Sequence, residues 1–329
     1  MKTSEKIIQY IRENNQASGK ELVDYLQDIT PRAVRKQLKS LLESGQLRKV
    51  GKPPKVFYLI NDTDRKAKSL GLEYEVIDKS VKNKIDKNYL YISPRGEQKQ
   101  GWEGFVMWCE KTNQNPIKTA KEYVKTLDKY SKYKQKGFIS GLDKLKMTFN
   151  LVNLDRLYYI DFYSIERFGK TRIGQLLLYA KQSQDKKLIK SLSDEIHPKL
   201  LQLVKRYDVD GIVFIPPTVK REVQFMKELE RNLSLPLPIL KVSKIKTEIS
   251  VPQKTLSKLG DRIENAKHTI VVEDNKKYKN ILLIDDAVGS GATLNETAAQ
   301  IKRKGLCEGK LIGLAITGSF KGFDVISEV

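Results

Sequence analysis

ILLIDDAVGSGAT, Ile281 to Thr293, joins four aliphatic residues to two adjacent acids and a run of small residues. Ile281–Ile284 is a short, continuous apolar run, which predicts a strand buried on both faces. Asp285 and Asp286 leave that strand at its carboxyl end. Ala287, Val288, Gly289, Ser290, Gly291 and Ala292 follow with little side chain, so a ligand can approach their backbone closely. Thr293 opens the next helical pattern, and Glu296 three residues later completes capping-box spacing. Exposed amides, the hydroxyls of Ser290 and Thr293 and the helix dipole together favour a phosphate dianion. Paired acids would repel that phosphate unless a neutral group separates them. A ribose does so: its 2- and 3-hydroxyls donate to Asp285 and Asp286 while its 5-phosphate lies in the loop. A purely structural turn has no need of two carboxylates there.

Working outward, short apolar runs alternate with helical patterns from Leu157 onward. LYYIDFY, GIVFI, LPILKV, HTIVV, NILLID and LIGLAI read as strands. TRIGQLLLYAK, KREVQFMKELERNL and LNETAAQIKRKG carry the 3-to-4 spacing of helices. This alternation predicts a doubly wound α/β domain over residues 151–329 with a parallel sheet, whose ligands bind beyond the carboxyl ends of the strands.

The thirteen-residue string resembles the 5-phosphoribosyl-1-pyrophosphate (PRPP) signature of type I phosphoribosyltransferases, with Gly289-Ser290 where that family often has two threonines. DGIVFIPPTVKREVQF resembles the strand, proline-rich turn and basic helix of the ComF-like group. QKTLSKLGDRIENAKHTIVV is similar to that group's mobile hood through Gln253, Leu256, Arg262 and Asn265. FGKTRIGQLLLYAKQSQDKKL resembles its helix with a loop lysine, here Lys181. The cysteine-rich zinc module that often precedes ComF domains is absent. The resemblance implies displacement of pyrophosphate from C1 of the ribose, with Mg²⁺ bridging the pyrophosphate and ribose hydroxyls and no direct protein ligand assigned. Asp285 and Asp286 would hold the ribose, Lys181, Lys220 and Arg221 would neutralise the pyrophosphate, and Arg262 would close with the hood. The loop residues Asp285, Asp286, Ala287, Gly289, Ser290, Gly291, Ala292 and Thr293 would hold the ribose phosphate.

Residues 1–61 present a different pattern. Ile7, Ile8 and Ile11 mark a first helix, and Leu22, Val23 and Leu26 a second. In DITPRAVRKQLKSLLESG, Thr30 suits the N-cap, Pro31 the first helical position and Gly45 the stop. Two strands, QLRKV and KVFYLI, flank the tip GKPP. The order resembles a winged helix-turn-helix domain, which implies nucleic-acid binding. Arg32, Arg35, Lys36 and Lys39 would enter the major groove, and Lys52 and Lys55 would reach phosphates. Winged helices also serve as protein-interaction or dimerisation modules.

Residues 62–150 read as a mainly helical connecting region. Trp102, Phe105 and Trp108 share a helical face, as a core or inter-domain contact, the alternative being a stacking platform for single-stranded nucleic acid; KEYVKTLDKYSKYKQK, basic with interleaved tyrosines, reads as a solvated amphipathic helix or linker, the alternative being a nucleic-acid contact. Across the 329 residues the net charge is +21, which favours a polyanionic partner and also serves solubility. No apolar run approaches the length of a membrane span, and the polar N-terminus is neither a signal peptide nor an anchor. Cys109 and Cys307 cannot make a disulfide framework or a four-ligand zinc site, and His197 and His268 share no motif. The expected setting is the cytoplasm.

Three functions fit these observations. One is a phosphoribosyltransferase-like protein that binds PRPP or a related nucleotide and couples it to DNA or structured nucleic acid, including as an anti-phage effector of the retron type in a reverse-transcriptase-containing complex. The second is a PRPP-responsive winged-helix transcription regulator without turnover, similar in domain order to the bacterial purine repressor, as a homodimer. The third is a non-catalytic interaction scaffold.

Overall fold

The computed structural model describes residues 2–61, 77–217, 219, 221–245, 251, 255–256 and 258–319, with only the backbone of Lys52. Lys220 and Gln253 therefore lie outside the described residues. The chain divides into two compact units, Met1–Val76 and Ile77–Val329.

In the first unit, α1 (Thr3–Asn14), α2 (Gly19–Tyr25) and α3 (Pro31–Glu43) precede the hairpin of β2 (Leu47–Lys52) and β3 (Lys55–Ile60). A two-residue strand, β1 (Ala17–Ser18), pairs antiparallel with β3 and makes the sheet three-stranded, in the order β1-β3-β2. The sequence pattern did not reveal it, because two residues carry no alternation to detect. Ser18 also caps α2: its hydroxyl accepts from the Glu21 amide while the Glu21 carboxylate accepts from its own amide. Thr30 caps α3 through the Ala33 amide, with Pro31 in the first turn as expected. Ile7, Ile11, Leu22, Val34, Leu38, Leu41 and Leu47 close the core. At the hairpin tip Gly51 has φ +85°, and a Cβ there would lie 2.2 Å from the Lys55 carbonyl oxygen. Only glycine suits that position.

The second unit is built on a six-stranded mixed sheet with helices on both faces. It comprises α4 (Lys79–Asn88), β4 (Leu90–Ile92), β5 (Gln98–Gln100), α5 (Gly101–Lys111), α6 (Pro116–Ser131), β6 (Lys134–Gln135), β7 (Phe138–Ser140) and α7 (Leu142–Thr148), followed by β8 (Arg156–Phe162), α8 (Arg172–Ser183), α9 (Lys186–Tyr207), β9 (Gly211–Phe214), α10 (Phe225–Leu233), β10 (Val242–Lys244), α11 (Leu259–Thr269), β11 (Ile270–Val272), β12 (Ile281–Val288), α12 (Ala292–Arg303) and β13 (Leu311–Gly318). The strand order is β6-β7-β8-β13-β12-β9, with β8, β13, β12 and β9 mutually parallel. The sheet is thus not wholly parallel: β6 and β7, drawn from the stretch read as a helical connection, add an antiparallel edge to β8. Their two and three residues are too few to show a period. β10 and β11 pair in a separate two-stranded sheet.

Side chains alternate along the central strands. Ile281, Leu283, Leu311 and Ala315 face one core with Leu294 and Ala298 of α12, Tyr123 of α6 and Leu145 of α7. Leu282, Ile284, Ile312 and Leu314 face the other with Leu176 and Leu177 of α8 and Leu192 of α9. The aromatic triad belongs to the first core: Phe105 is wholly buried, with Trp102 and Trp108 packed on it at centroid distances of 5.8 and 5.9 Å.

Two predicted elements are displaced. The strand expected at LPILKV forms at Val242–Lys244, beyond the prolines that cannot donate to a ladder. The helix expected from Lys220 begins only at Phe225, so Arg221 lies in the irregular chain before it.

Candidate functional site

The parallel register sets the stage. Ile284 of β12 lies opposite Phe214 of β9, and the Ile215 amide donates to the Ile284 carbonyl at 2.9 Å. The chain leaving β9 through Ile215, Pro216 and Pro217 therefore stays beside β12 up to the point where its acids begin. Strand alternation sends Asp285 and Asp286 to opposite faces. Asp286 emerges on the α8 side, where Lys181 Nζ meets its Oδ2 at 2.5 Å; both side chains are mostly buried, at 16% and 20% exposure. Asp285 emerges on the other side, where Lys244 of β10 supplies the principal compensating charge.

Asp285 titrates against this background. Burial strips hydration from Asp285 and, with the adjacent charge of Asp286, pushes its carboxyl up to about 7. The Asp286 amide, which donates to Asp285 Oδ1 at 2.8 Å, and the lysines Lys244 and Lys181 pull the other way. Burial lowers the Lys244 ammonium, and both acids oppose that shift. A cluster of two acids and two lysines stands at the carboxyl end of the central strands, where burial shifts Asp285 and Lys244.

Beyond the acids, Gly289 and Ser290 lead into α12. Gly291, at φ +82°, is the residue from which the helix starts, and the Asn295 amide makes the first internal bond to its carbonyl. The amides of Ala292, Thr293 and Leu294 thus precede the helical ladder and point out of its N-terminus. The Ser290 hydroxyl, itself buried, accepts from the Ala292 amide at 3.3 Å. The expected capping box does not form. Because glycine adopts the left-handed conformation, the helix is capped at Gly291, two residues before Thr293, and Glu296 instead pairs with Arg303 at 2.6 Å.

The other predicted residues fall as follows. Lys181 joins the cluster, but through Asp286. Arg221 donates from Nη1 to the Lys181 carbonyl, so it braces the end of α8 beside that lysine. Arg262 of α11 is buried, and its Nε donates to the Leu256 carbonyl at 2.7 Å; burial holds its guanidinium below the usual value. Arg262 thus folds back on its own segment, away from open solvent. Asn265 Nδ2 donates to the Val251 carbonyl at 3.5 Å. Lys244 was missed from sequence, since nothing in LPILKVSK marks it before the strand pairing is known. Asn295 was missed as well: it accepts from the Asn153 amide at 2.8 Å and donates to the Leu151 carbonyl at 3.0 Å, tying the chain before β8 to the start of α12. Among the described residues, no three His, Cys, Asp or Glu side chains converge to hold a metal ion, and no helix is long and apolar enough to cross a membrane.

No family model matches the chain, and no curated protein sequence does. A crystal structure of a hypoxanthine phosphoribosyltransferase from Staphylococcus aureus is similar over 40% of this chain and 74% of that one, at 18% identity and a TM-score of 0.23. A similarity of that size assigns no activity.

In the first unit, Arg32, Arg35, Lys36 and Lys39 are all exposed and recur at i, i+3, i+4 and i+7, so they share the outer face of α3. Lys39 has one exposed partner, Glu43 at 3.7 Å. Lys55 is exposed at the hairpin tip.

Proposed function

We propose that the second unit binds PRPP or a related ribose-phosphate nucleotide at the end of β12, and that the first unit couples this binding to nucleic acid as a winged helix. The observation that carries the reading is the Asp285–Asp286 pair at the carboxyl end of a central parallel strand, followed six to eight residues on by the outward-facing amides of α12. A 5-phosphate accepts from the Ala292, Thr293 and Leu294 amides, displacing the Ser290 hydroxyl from the first of them. The ribose hydroxyls donate to the ionised acids. Lys181 and Lys244, which neutralise those acids in the free protein, then face the pyrophosphate. Arg221 holds Lys181 in place from behind, and Lys220, beyond the described residues, belongs to the same segment.

Mg²⁺ would accompany the ligand here: Asp285 and Asp286 are the carboxylates that would face it, and it would offset the negative charge of the leaving pyrophosphate. If turnover occurs, Asp285 and Asp286 stabilise positive charge developing at C1 of the ribose and the lysines stabilise the departing pyrophosphate. In the first unit, the outer face of α3 reads the major groove while Lys52 and Lys55 contact phosphates. A nucleic-acid-directed effector and a regulator without turnover share this binding step and differ in the fate of the pyrophosphate.

Titration calorimetry of PRPP with Mg²⁺ against wild type and the Asp285→Asn/Asp286→Asn variant tests the reading. Saturable binding by wild type that the variant loses is expected, and no binding by either sinks it. A pyrophosphate-release assay with and without nucleic acid then separates effector from regulator.

A further inference from the structure

The second unit carries a lysine ridge along α6, largely within the basic stretch KEYVKTLDKYSKYKQK. Pro116, Thr119, Ala120, Tyr123, Thr126 and Tyr130 turn inward on α6. The opposite face presents Lys118, Lys121, Lys125, Asp128, Lys129 and Lys132, the last being the residue just after the helix; all are exposed. At 100° per residue these six fall within about a 100° arc. Asp128 is bonded to Lys84 at 2.8 Å, and Lys129 to Glu166 at 2.6 Å. Lys118, Lys121, Lys125 and Lys132 form no ion pair among the described residues, whose carboxylates on this side pair with Lys84, Lys129 and Arg167. Solvated faces ordinarily mix the two signs; here the arc holds one acid, Asp128, among five lysines, and the flanking Glu122 and Glu166, which share a cleft with Lys125, Lys129 and Lys132, are paired with Arg167 and Lys129.

We infer that this ridge is a second nucleic-acid contact, which binds the phosphate backbone without reading bases. Lys118 to Lys132 spans about 21 Å of helix, equivalent to roughly six base steps of one strand. Evenly spaced point charges in a line match a line of phosphates. The arc bears no large apolar side chain, which an interfacial membrane helix needs for insertion. Lysine contacts phosphate as a charge and carries no sequence preference, and the guanidinium on this flank, Arg167, is already held by Glu122 and Gln114. The inference does not depend on α3: the two surfaces lie in different units and can be removed one at a time.

The test is fluorescence anisotropy of the full chain on a 30-base-pair duplex and a 30-nucleotide single strand, from 50 to 200 mM salt. The variants are Lys118→Ala/Lys121→Ala/Lys125→Ala/Lys132→Ala, the same four positions as arginine, and the α3 set Arg32→Ala/Arg35→Ala/Lys36→Ala/Lys39→Ala. Four phosphate contacts contribute a slope of about −3.6 in log affinity against log salt on duplex, and about −2.8 on a single strand. Over that range wild-type duplex affinity should therefore fall about 150-fold more than that of the α6 alanine variant. The arginine set should retain the wild-type slope, and the α3 variant should keep the α6 share. Equal slopes for wild type and the α6 alanine variant, or no nucleic-acid binding by wild type, overturn the inference. So does loss of binding to phosphatidylserine vesicles alone. An α3 variant that binds like wild type would overturn the winged-helix reading and leave this one standing.

Discussion

Replacing Asp285 with asparagine should make the ligand-free protein more stable at pH 8 and remove part of its pH dependence. The carboxyl rises from 3.8 to about 7 in the folded state because burial and Asp286 disfavour its charge. Between those values the folded chain binds a proton that the unfolded chain releases, so stability falls as pH climbs through the window and levels off above about 7. A rise of that size corresponds to about 4 kcal/mol as an upper bound. The charges of Lys244 and Lys181 already offset part of that cost, which reduces the share one substitution can recover, so on the order of 2 kcal/mol is expected. In a unit of this size that is a rise of roughly 4–8 °C in Tm at pH 8. Scanning calorimetry of wild type and Asp285→Asn at pH 4.5, 6, 7 and 8 gives the comparison, and taking the difference between the two cancels the titrating groups remote from Asp285. The curves should converge near pH 4.5 and separate toward pH 8. Parallel curves, or an asparagine variant less stable at pH 8, would refute the assignment of a dry, charge-strained acid to that position.

Other perturbations probe neighbouring parts of the site. Lys181→Met removes the partner of a mostly buried carboxylate and should cost about 3 kcal/mol in urea unfolding, with Lys181→Arg recovering much of it. Gly291→Ala forces a left-handed backbone and places a Cβ 2.5 Å from Leu145 Cδ1; it should destabilise by about 2 kcal/mol, and Leu145→Ala should relieve only the contact share in a double-mutant cycle. Gly51→Ala meets backbone rather than a side chain at 2.2 Å, so no second substitution should rescue its loss of first-unit stability, again about 2 kcal/mol or more. Removing Arg32, Arg35, Lys36 and Lys39 together should weaken duplex binding and flatten its salt slope by about 3.6.

Much of this arrangement was legible in the sequence because its signals are local. Ile281–Ile284 gives a buried strand, Asp285 and Asp286 its end, and Thr30-Pro31 the start of α3, each within a few neighbouring residues. Features that depend on pairing between distant segments were not legible. Lys244 reaches the acids only because β10 pairs with β11 and packs beside the sheet, 41 positions before Asp285 in the chain. β6 and β7 became sheet strands by finding β8, not by any period of their own. Glu296 matched a capping box by spacing, yet the choice between Gly291 and Thr293 as helix start rested on a backbone angle that no pattern encodes. Similarly, α9 runs through Pro198, where a proline ordinarily marks a boundary; its inward stripe of Ile189, Leu192, Ile196, Leu200 and Leu203 outweighs that break.

The central claim is that the amides opening α12 hold the ligand's 5-phosphate. The most direct measurement follows the ¹⁵N–¹H resonances of Ala292, Thr293 and Leu294 as ribose 5-phosphate, then PRPP with Mg²⁺, is added. The account predicts saturable downfield shifts of these three amides, at the same ligand concentrations as changes at Asp285 and Asp286. Stationary resonances there, with shifts confined to other surfaces of the protein, would contradict it.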